Sequence, residues 1–284
     1  MLRSAARFLS HALVAAGDGV FSAAVPLLNL AVPRHGYRVK RDIAYGSDPR
    51  ARMDIYIPDG LTTPAPVLLF FHGGSWQSGS KAHYRAFGQA FASRGIITVV
   101  ADYRLYPQVK YPAFVEDGAH ALAFVHARIA EHGGHPARIF LSGHSAGAYI
   151  AAMLACNREH LQSVAGDESW IRGVIGIAGP YDFLPLRDPV LIDIFGGERV
   201  LATQPIQYAA NKTPPILLAH GRADKTVGAG NSLRMAKRLS EAGNAVELIE
   251  YPGVGHMGIL LALAHGLRGR TSLYTDMLRF IGAL

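Results

Sequence analysis

The sequence of 284 residues contains a single cysteine, Cys156, so an intramolecular disulfide is excluded and the fold must rest on packing. Set at the end of an apolar helical pattern, that thiol reads as a small buried hydrophobe. Charge is also scarce: Asp, Glu, Lys and Arg make up 17% of the chain, against 50% hydrophobic residues. Acidic residues are the fewer, and the net charge is +7. A basic surplus can draw nucleic acid or anionic surfaces, but here Lys and Arg are scattered and do not interleave with aromatics, so no nucleic-acid partner is expected. No stretch approaches the roughly 18 uninterrupted apolar residues of a membrane-spanning helix. Internal repeats and low-complexity linkers are missing, which argues against a second domain. Two further signatures are incomplete. Gly74-Ser-Trp-Gln-Ser-Gly79-Ser-Lys81 carries its lysine one place too late for a phosphate-binding loop. His132-Gly-Gly-His135 lacks the intervening acid and third ligand of a zinc site and reads as a loop. No metal or organic cofactor is expected.

What the chain does have is alternation. Tyr37–Tyr45 and Met53–Ile57 alternate apolar and polar residues across the turn Gly46-Ser-Asp-Pro-Arg50, as an antiparallel pair at a sheet edge does. Val67–Phe71, Ile96–Ala101, Ile139–Leu141, Val174–Ala178 and Ile216–Ala219 are short apolar runs, the mark of strands covered on both faces. Val246–Tyr251 completes the strands. Helical patterns over Lys81–Ser93, from Pro112 to Gly133, Ala146–Ala155, Asn231–Ala242 and Thr271–Ile281 separate them. This predicts a single α/β domain over residues 37–284: about eight strands, mostly parallel, with helices on both faces. The stretch from Asp182 to Thr213 breaks the rhythm with Pro185, Pro189, Gly196-Gly197 and Pro205, and reads as a lid-like loop.

Polar clusters follow several of these strands, at the edge where such sheets bind ligands. After Leu141 comes Gly143-His-Ser145-Ala-Gly147, the G-x-S-x-G pattern that sets a serine on a sharp strand-to-helix turn. After Phe71 comes His72-Gly-Gly-Ser-Trp76. Its backbone can approach a substrate closely, and the amides of Gly74 and Ser75, with that of Ala146, are the candidate donors to an oxyanion. Trp76 is expected to line the acyl or alcohol pocket. After Ala219 comes His220-Gly-Arg-Ala-Asp224, and after Tyr251 comes Pro-Gly-Val-Gly-His256, a histidine in a glycine-rich loop. Asp182, in Gly179-Pro-Tyr-Asp182, is the rival acid. The order Ser145, Asp224, His256, each behind its own buried strand, is what turns four weak signals into one strong one.

With these motifs the chain resembles the α/β-hydrolase superfamily, in its esterase/lipase-like branch with a His-Gly-Gly-x-Trp loop, to which carboxylesterases and kynurenine formamidases belong. Asp102-Tyr-Arg-Leu-Tyr-Pro107 and Tyr111-Pro-Ala-Phe-Val-Glu-Asp117 also resemble segments of these enzymes. The resemblance runs from about Tyr37 to the C-terminus. It implies catalytic Ser145, Asp224 and His256 acting on a small-molecule ester, preferably of short acyl chain since no large cap domain is inserted. An amide hydrolase of the arylformamidase type shares all these parts, and a non-catalytic binding protein on the same fold is the third reading. Residues 1–36 stay open. Arg3 and Arg7 before Phe8–Asp18 resemble a signal peptide, while Leu9, Leu13, Ala16 and Val20 share a helical face that would suit a cap over the site mouth or peripheral contact with a membrane. The compartment follows whichever holds, cytoplasmic or periplasmic and membrane-associated.

Overall fold

The computed structural model describes Asn29 and residues 31–284. The signal-like and amphipathic readings of the N-terminal segment lie outside these residues. Eight strands form one sheet in the order β1-β2-β4-β3-β5-β6-β7-β8. They are β1 (Tyr37–Ala44), β2 (Arg52–Pro58), β3 (Ala65–Phe71), β4 (Ile97–Ala101), β5 (Gly134–His144), β6 (Gly173–Ile177), β7 (Ile216–Gly221) and β8 (Val246–Tyr251). The β1–β2 and β2–β4 pairs are antiparallel, and every pair from β4–β3 to β7–β8 is parallel.

The apolar runs belong to the middle of this sheet because both of its faces are covered. Val67, Leu69 and Phe71 of β3 enter one core while Leu68 and Phe70 enter the other; Ile216 and Leu218 of β7 alternate with Leu217 and Ala219 in the same way. Among the described residues, seven helices of six or more residues supply most of the cover: α1 (Arg85–Ala92), α2 (Ala113–Arg128), α3 (Ala146–Cys156), α4 (Pro189–Phe195), α5 (Gly230–Glu241), α6 (His256–Leu261) and α7 (Leu273–Ala283). Buried side chains of α2, α3 and α5 join the first core, and those of α1, α6 and α7 the second. Helix α3 is buried along its whole length, Cys156 included, which is why its sequence is alanine-rich rather than amphipathic. Burial holds the Cys156 thiol up at about 12, so it is an inert packing group.

Three local expectations are corrected. Strand β5 starts at Gly134, not Ile139, so His135 lies in the sheet and the His132-Gly-Gly-His135 run is not simply a loop. The 182–213 stretch is not structureless. Asp188 accepts hydrogen bonds from the amides of Val190 and Leu191, Pro189 occupies the first turn, and α4 forms behind that cap. Two 3₁₀ turns follow at Leu201–Thr203 and Pro205–Tyr208. Finally, His256 is not a loop residue but the first residue of α6. Among the described residues, no helix is long and apolar enough to cross a membrane.

Candidate active site

Ser145 joins β5 to α3 with φ 54° and ψ −119°, a conformation that an L-residue holds only when its surroundings impose it. They do. Its amide donates to the Ile177 carbonyl of the neighbouring strand at 2.9 Å. A Cβ on Gly143 would stand 2.2 Å from the carbonyl carbon of Gly147, and one on Gly147 would stand 2.0 Å from the Phe71 oxygen. Only glycine fits on either side of this serine, so the two glycines of the motif are packing requirements of the turn.

His256 begins α6 at the far end of β8, and its Nδ1 lies 2.7 Å from Asp224 Oδ2. A carboxylate can only accept, so Nδ1 carries the proton and Nε2 keeps its lone pair. Asp224 is held from its other side as well: Oδ1 accepts the amides of Thr226 and Val227, each at 2.9 Å. Burial by itself would raise this carboxyl, but hydrogen bonds from His220 and His256, the field of His256 and the Val227 amide outweigh it and keep the group well below the ordinary carboxylate range. Asp182, the rival acid, is turned elsewhere. Its carboxylate is engaged by Arg234 Nε, its carbonyl accepts Arg234 Nη2 at 2.8 Å, and its amide donates to Asn231.

Ser145 and His256 line one cavity of about 370 Å³, together with Gly74, Ser75, His83, Tyr84 and Thr226. The loop that forms its wall carries positive φ at three successive residues, Gly74 (129°), Ser75 (51°) and Trp76 (59°). Among the described residues, the amides of Gly74, Ser75 and Ala146 donate to no protein acceptor, whereas the Gly73 amide donates to the Tyr84 hydroxyl at 3.1 Å. Three unused donors thus belong to residues at or beside the serine.

Trp76 departs from expectation. It is 3% exposed and absent from the wall of this cavity. Its ring packs against Phe114, Tyr149, Phe183 and Phe195, with centroids 4.8–6.0 Å apart. The positive φ turns the side chain under the loop, so the tryptophan is part of the core on which the loop stands.

Two clusters were not assigned roles from sequence. Beneath the loop, Asp102 Oδ1 accepts the Lys81 amide at 2.6 Å and lies 3.3 Å from His72 Nε2 and 3.9 Å from Arg50 Nη2. Burial works to raise this carboxyl too, and contact with His72, the Lys81 amide and the Arg50 charge overcome it, leaving it lowered. Tyr103 donates to the His72 carbonyl at 2.8 Å and Arg50 to the Gly79 carbonyl at 3.1 Å, so both ends of the loop are tied. Beside the serine, His144 Nε2 donates to the carbonyl of His256 at 3.1 Å, and the two rings are 4.6 Å apart. Burial, then the neighbouring His256, push His144 down to about 3, so it is neutral and adds no charge to the site. In the sequence, His72, Asp102 and His144 each adjoin a buried strand and stand in segments already singled out, but nothing there pairs His72 with Asp102 or His144 with His256.

Residues 53–239 match the sequence profile of the BD-FAE family, well over half of the chain. The chain belongs to the BD-FAE family. This sets it in the esterase branch of the α/β-hydrolases. The chain is 34% identical over 246 residues to a probable isoprenylcysteine alpha-carbonyl methylesterase of Arabidopsis thaliana, covering 78% of this chain and 52% of that protein. It is 30% identical over 249 residues to esterase LipC of Mycobacterium tuberculosis, covering 80% and 61%. The chain spans between half and two thirds of the length of such curated relatives. Among solved structures, this BD-FAE chain superposes on the thermophilic esterase Est2 of Thermogutta terrifontis with a TM-score of 0.69 and 28% identity, covering 88% of this chain and 91% of that one. The same esterase has been solved phosphorylated by paraoxon; that structure gives a TM-score of 0.71 at 25% identity, with 88% and 94% covered.

Proposed function

We propose that this chain is a serine carboxylesterase that hydrolyses small to medium acyl esters through an acyl-enzyme on Ser145. The observation that carries the reading is His256: its Nδ1 is committed to Asp224, and its ring shares a cavity with Ser145. Nε2 of His256 takes the Ser145 proton as the oxygen attacks the ester carbonyl, and Asp224 stabilises the imidazolium that results. The amides of Gly74, Ser75 and Ala146 hold the tetrahedral oxyanion; that they donate to nothing else among the described residues supports this. The imidazolium then protonates the leaving alcohol. Water, deprotonated by the same histidine, releases the carboxylate, and the cycle closes without an added cofactor.

The relatives support ester rather than amide chemistry, since those named here are methylesterases and esterases. A cavity of about 370 Å³ suits short acyl chains better than long ones. The test is a chain-length series of p-nitrophenyl esters run beside N-formylkynurenine on the purified protein. Two- to four-carbon esters should turn over fastest and the formamide slowest. Faster turnover of long-chain esters would remove the size argument, and preferred cleavage of the formamide would replace the esterase reading.

A further inference from the structure

Asp224 does not rely on His256 alone, and what stands behind it gives a role to a second histidine. His220, the fifth residue of β7, is fully buried, as is Ser232 of α5. His220 Nε2 lies 2.8 Å from the Val227 carbonyl and 3.3 Å from Asp224 Oδ2; its Nδ1 lies 2.7 Å from Ser232 Oγ. A carbonyl can only accept, so the proton is on Nε2 and is shared between Val227 and the carboxylate, while Nδ1 accepts from Ser232. The Val227 amide in turn donates to Asp224 Oδ1. His220 therefore fixes Asp224 twice, through its own N–H at Oδ2 and by holding the loop residue whose amide holds Oδ1.

We infer that His220 is a positioning residue for catalysis: through the Nε2–H shared between Val227 and Asp224 Oδ2 it orients the carboxylate and tempers its pull on the His256 proton. The inference rests on the proposed roles of Ser145, Asp224 and His256. Its physical content is that Asp224 Oδ2 faces two imidazoles. One moves a proton during turnover and the other, locked by Ser232 and Val227, does not. Withdrawing the second donor leaves more negative charge facing His256 and makes its imidazolium harder to deprotonate. Among the described residues, the titratable groups about His256 are Asp224, bonded to its Nδ1, His144 beside its ring, and His83 and Tyr84 in the cavity it shares with them; His220 acts on it through Asp224. His144 is neutral throughout the working range and adds no charge to the site as the pH is varied.

The test compares two amide replacements of one buried ring. In His220→Gln the side-chain amide reaches the Nε2 position and keeps a donor for Val227 and Asp224. In His220→Asn the amide reaches only the Nδ1 position, so the Ser232 contact is kept and the donor to Asp224 is lost. The acid limb of kcat/KM should move up by about half a pH unit in the Asn variant, with kcat reduced roughly tenfold. The Gln variant should bring both back toward the wild-type profile. Equal limbs in the two variants, or loss of rate in step with loss of folded protein, would overturn the inference and leave His220 a packing residue. Ser145→Ala and Asp224→Asn are run alongside. If either keeps near-wild-type activity, the proposed mechanism itself fails; if both are inactive and the limb does not move, only the role of His220 does.

Discussion

Two stretches of chain hang over the carboxyl edge of this sheet, and they are held there by different physics. The loop from His72 to Lys81 is pinned by buried polar groups. Asp102 takes the Lys81 amide and faces His72, while Lys81 Nζ is fixed by Asp42 at 2.6 Å and Asp54 at 2.8 Å. The segment from Asp182 to Thr213 has charged ties only at its partly exposed pairs, Asp182 with Arg234 and Asp193 with Lys110; inside, it is held by aromatic packing of Phe183 and Phe195 on Trp76 and Tyr149, and by hydroxyl-to-carbonyl bonds from Tyr149 and Tyr111 to Thr203 and Ala202. Hydrogen-bonded buried charge fixes direction as well as distance, which suits amides that must point at a developing charge. Apolar packing tolerates small shifts of shape. The difference teaches that the loop lining the cavity of Ser145 and the segment packed over Trp76 are stabilised in different ways.

The comparison can be broken at either part. The largest effect belongs to the serine beside the pinned loop: Ser145→Ala should lower kcat by about 10⁶, read in steady-state ester hydrolysis. Next comes the clamp. Asp102→Asn leaves the cavity side chains untouched but loosens the loop, and should reduce kcat by roughly 10² with a smaller change in KM. A change confined to KM would mean that the clamp does not aim the amides. On the apolar side, Phe195→Ala should destabilise the fold by about 3 kcal/mol in denaturant unfolding while changing kcat for short esters little. Loss of kcat comparable to that of Asp102→Asn would erase the distinction. The smallest effect is expected at the exposed pair of Lys110 with Asp193, where Lys110→Ala should shift Tm by no more than about one degree.

Acid should act on the buried polar groups of the site in two windows. Asp102 and Asp224 both titrate below their ordinary value of 3.8 in the fold, so each adds stability that is complete above that value and is lost as pH falls below it. His144 acts over a higher window. Its folded value near 3 lies below the ordinary 6.5, so the unfolded chain binds the extra proton and stability declines as pH falls from 6.5 toward 3. Thermal unfolding followed from pH 8 to 3.5 should show Tm falling first below about 6.5, and His144→Gln should flatten that first decline. A decline unchanged in the variant would place its origin elsewhere.

Much of the fold could be read from the chain because the central strands are buried on both faces: runs such as Val67–Phe71 have no other use. The start of β5 was hidden, since His135, Pro136 and Arg138 are only partly buried, Ala137 is exposed, and none of them belongs to an apolar run. Helix α4 was hidden by its length, seven residues being too few for periodicity to show. At the site, the order of Ser145, Asp224 and His256 is visible because each follows a recognisable strand. What decides between Asp224 and Asp182 is not, for it depends on Arg234 and Asn231, about fifty residues away from Asp182. The direction of the Trp76 ring is likewise set by a backbone angle that no neighbouring residue announces.

The most direct test of the whole account is covalent labelling. The purified protein is treated with paraoxon, its residual ester hydrolysis followed, and the modified peptide located by mass spectrometry. One phosphoryl group per chain, on Ser145, with activity lost in proportion, is the predicted result. Full activity after labelling, or a label on another residue while hydrolysis disappears, would contradict it.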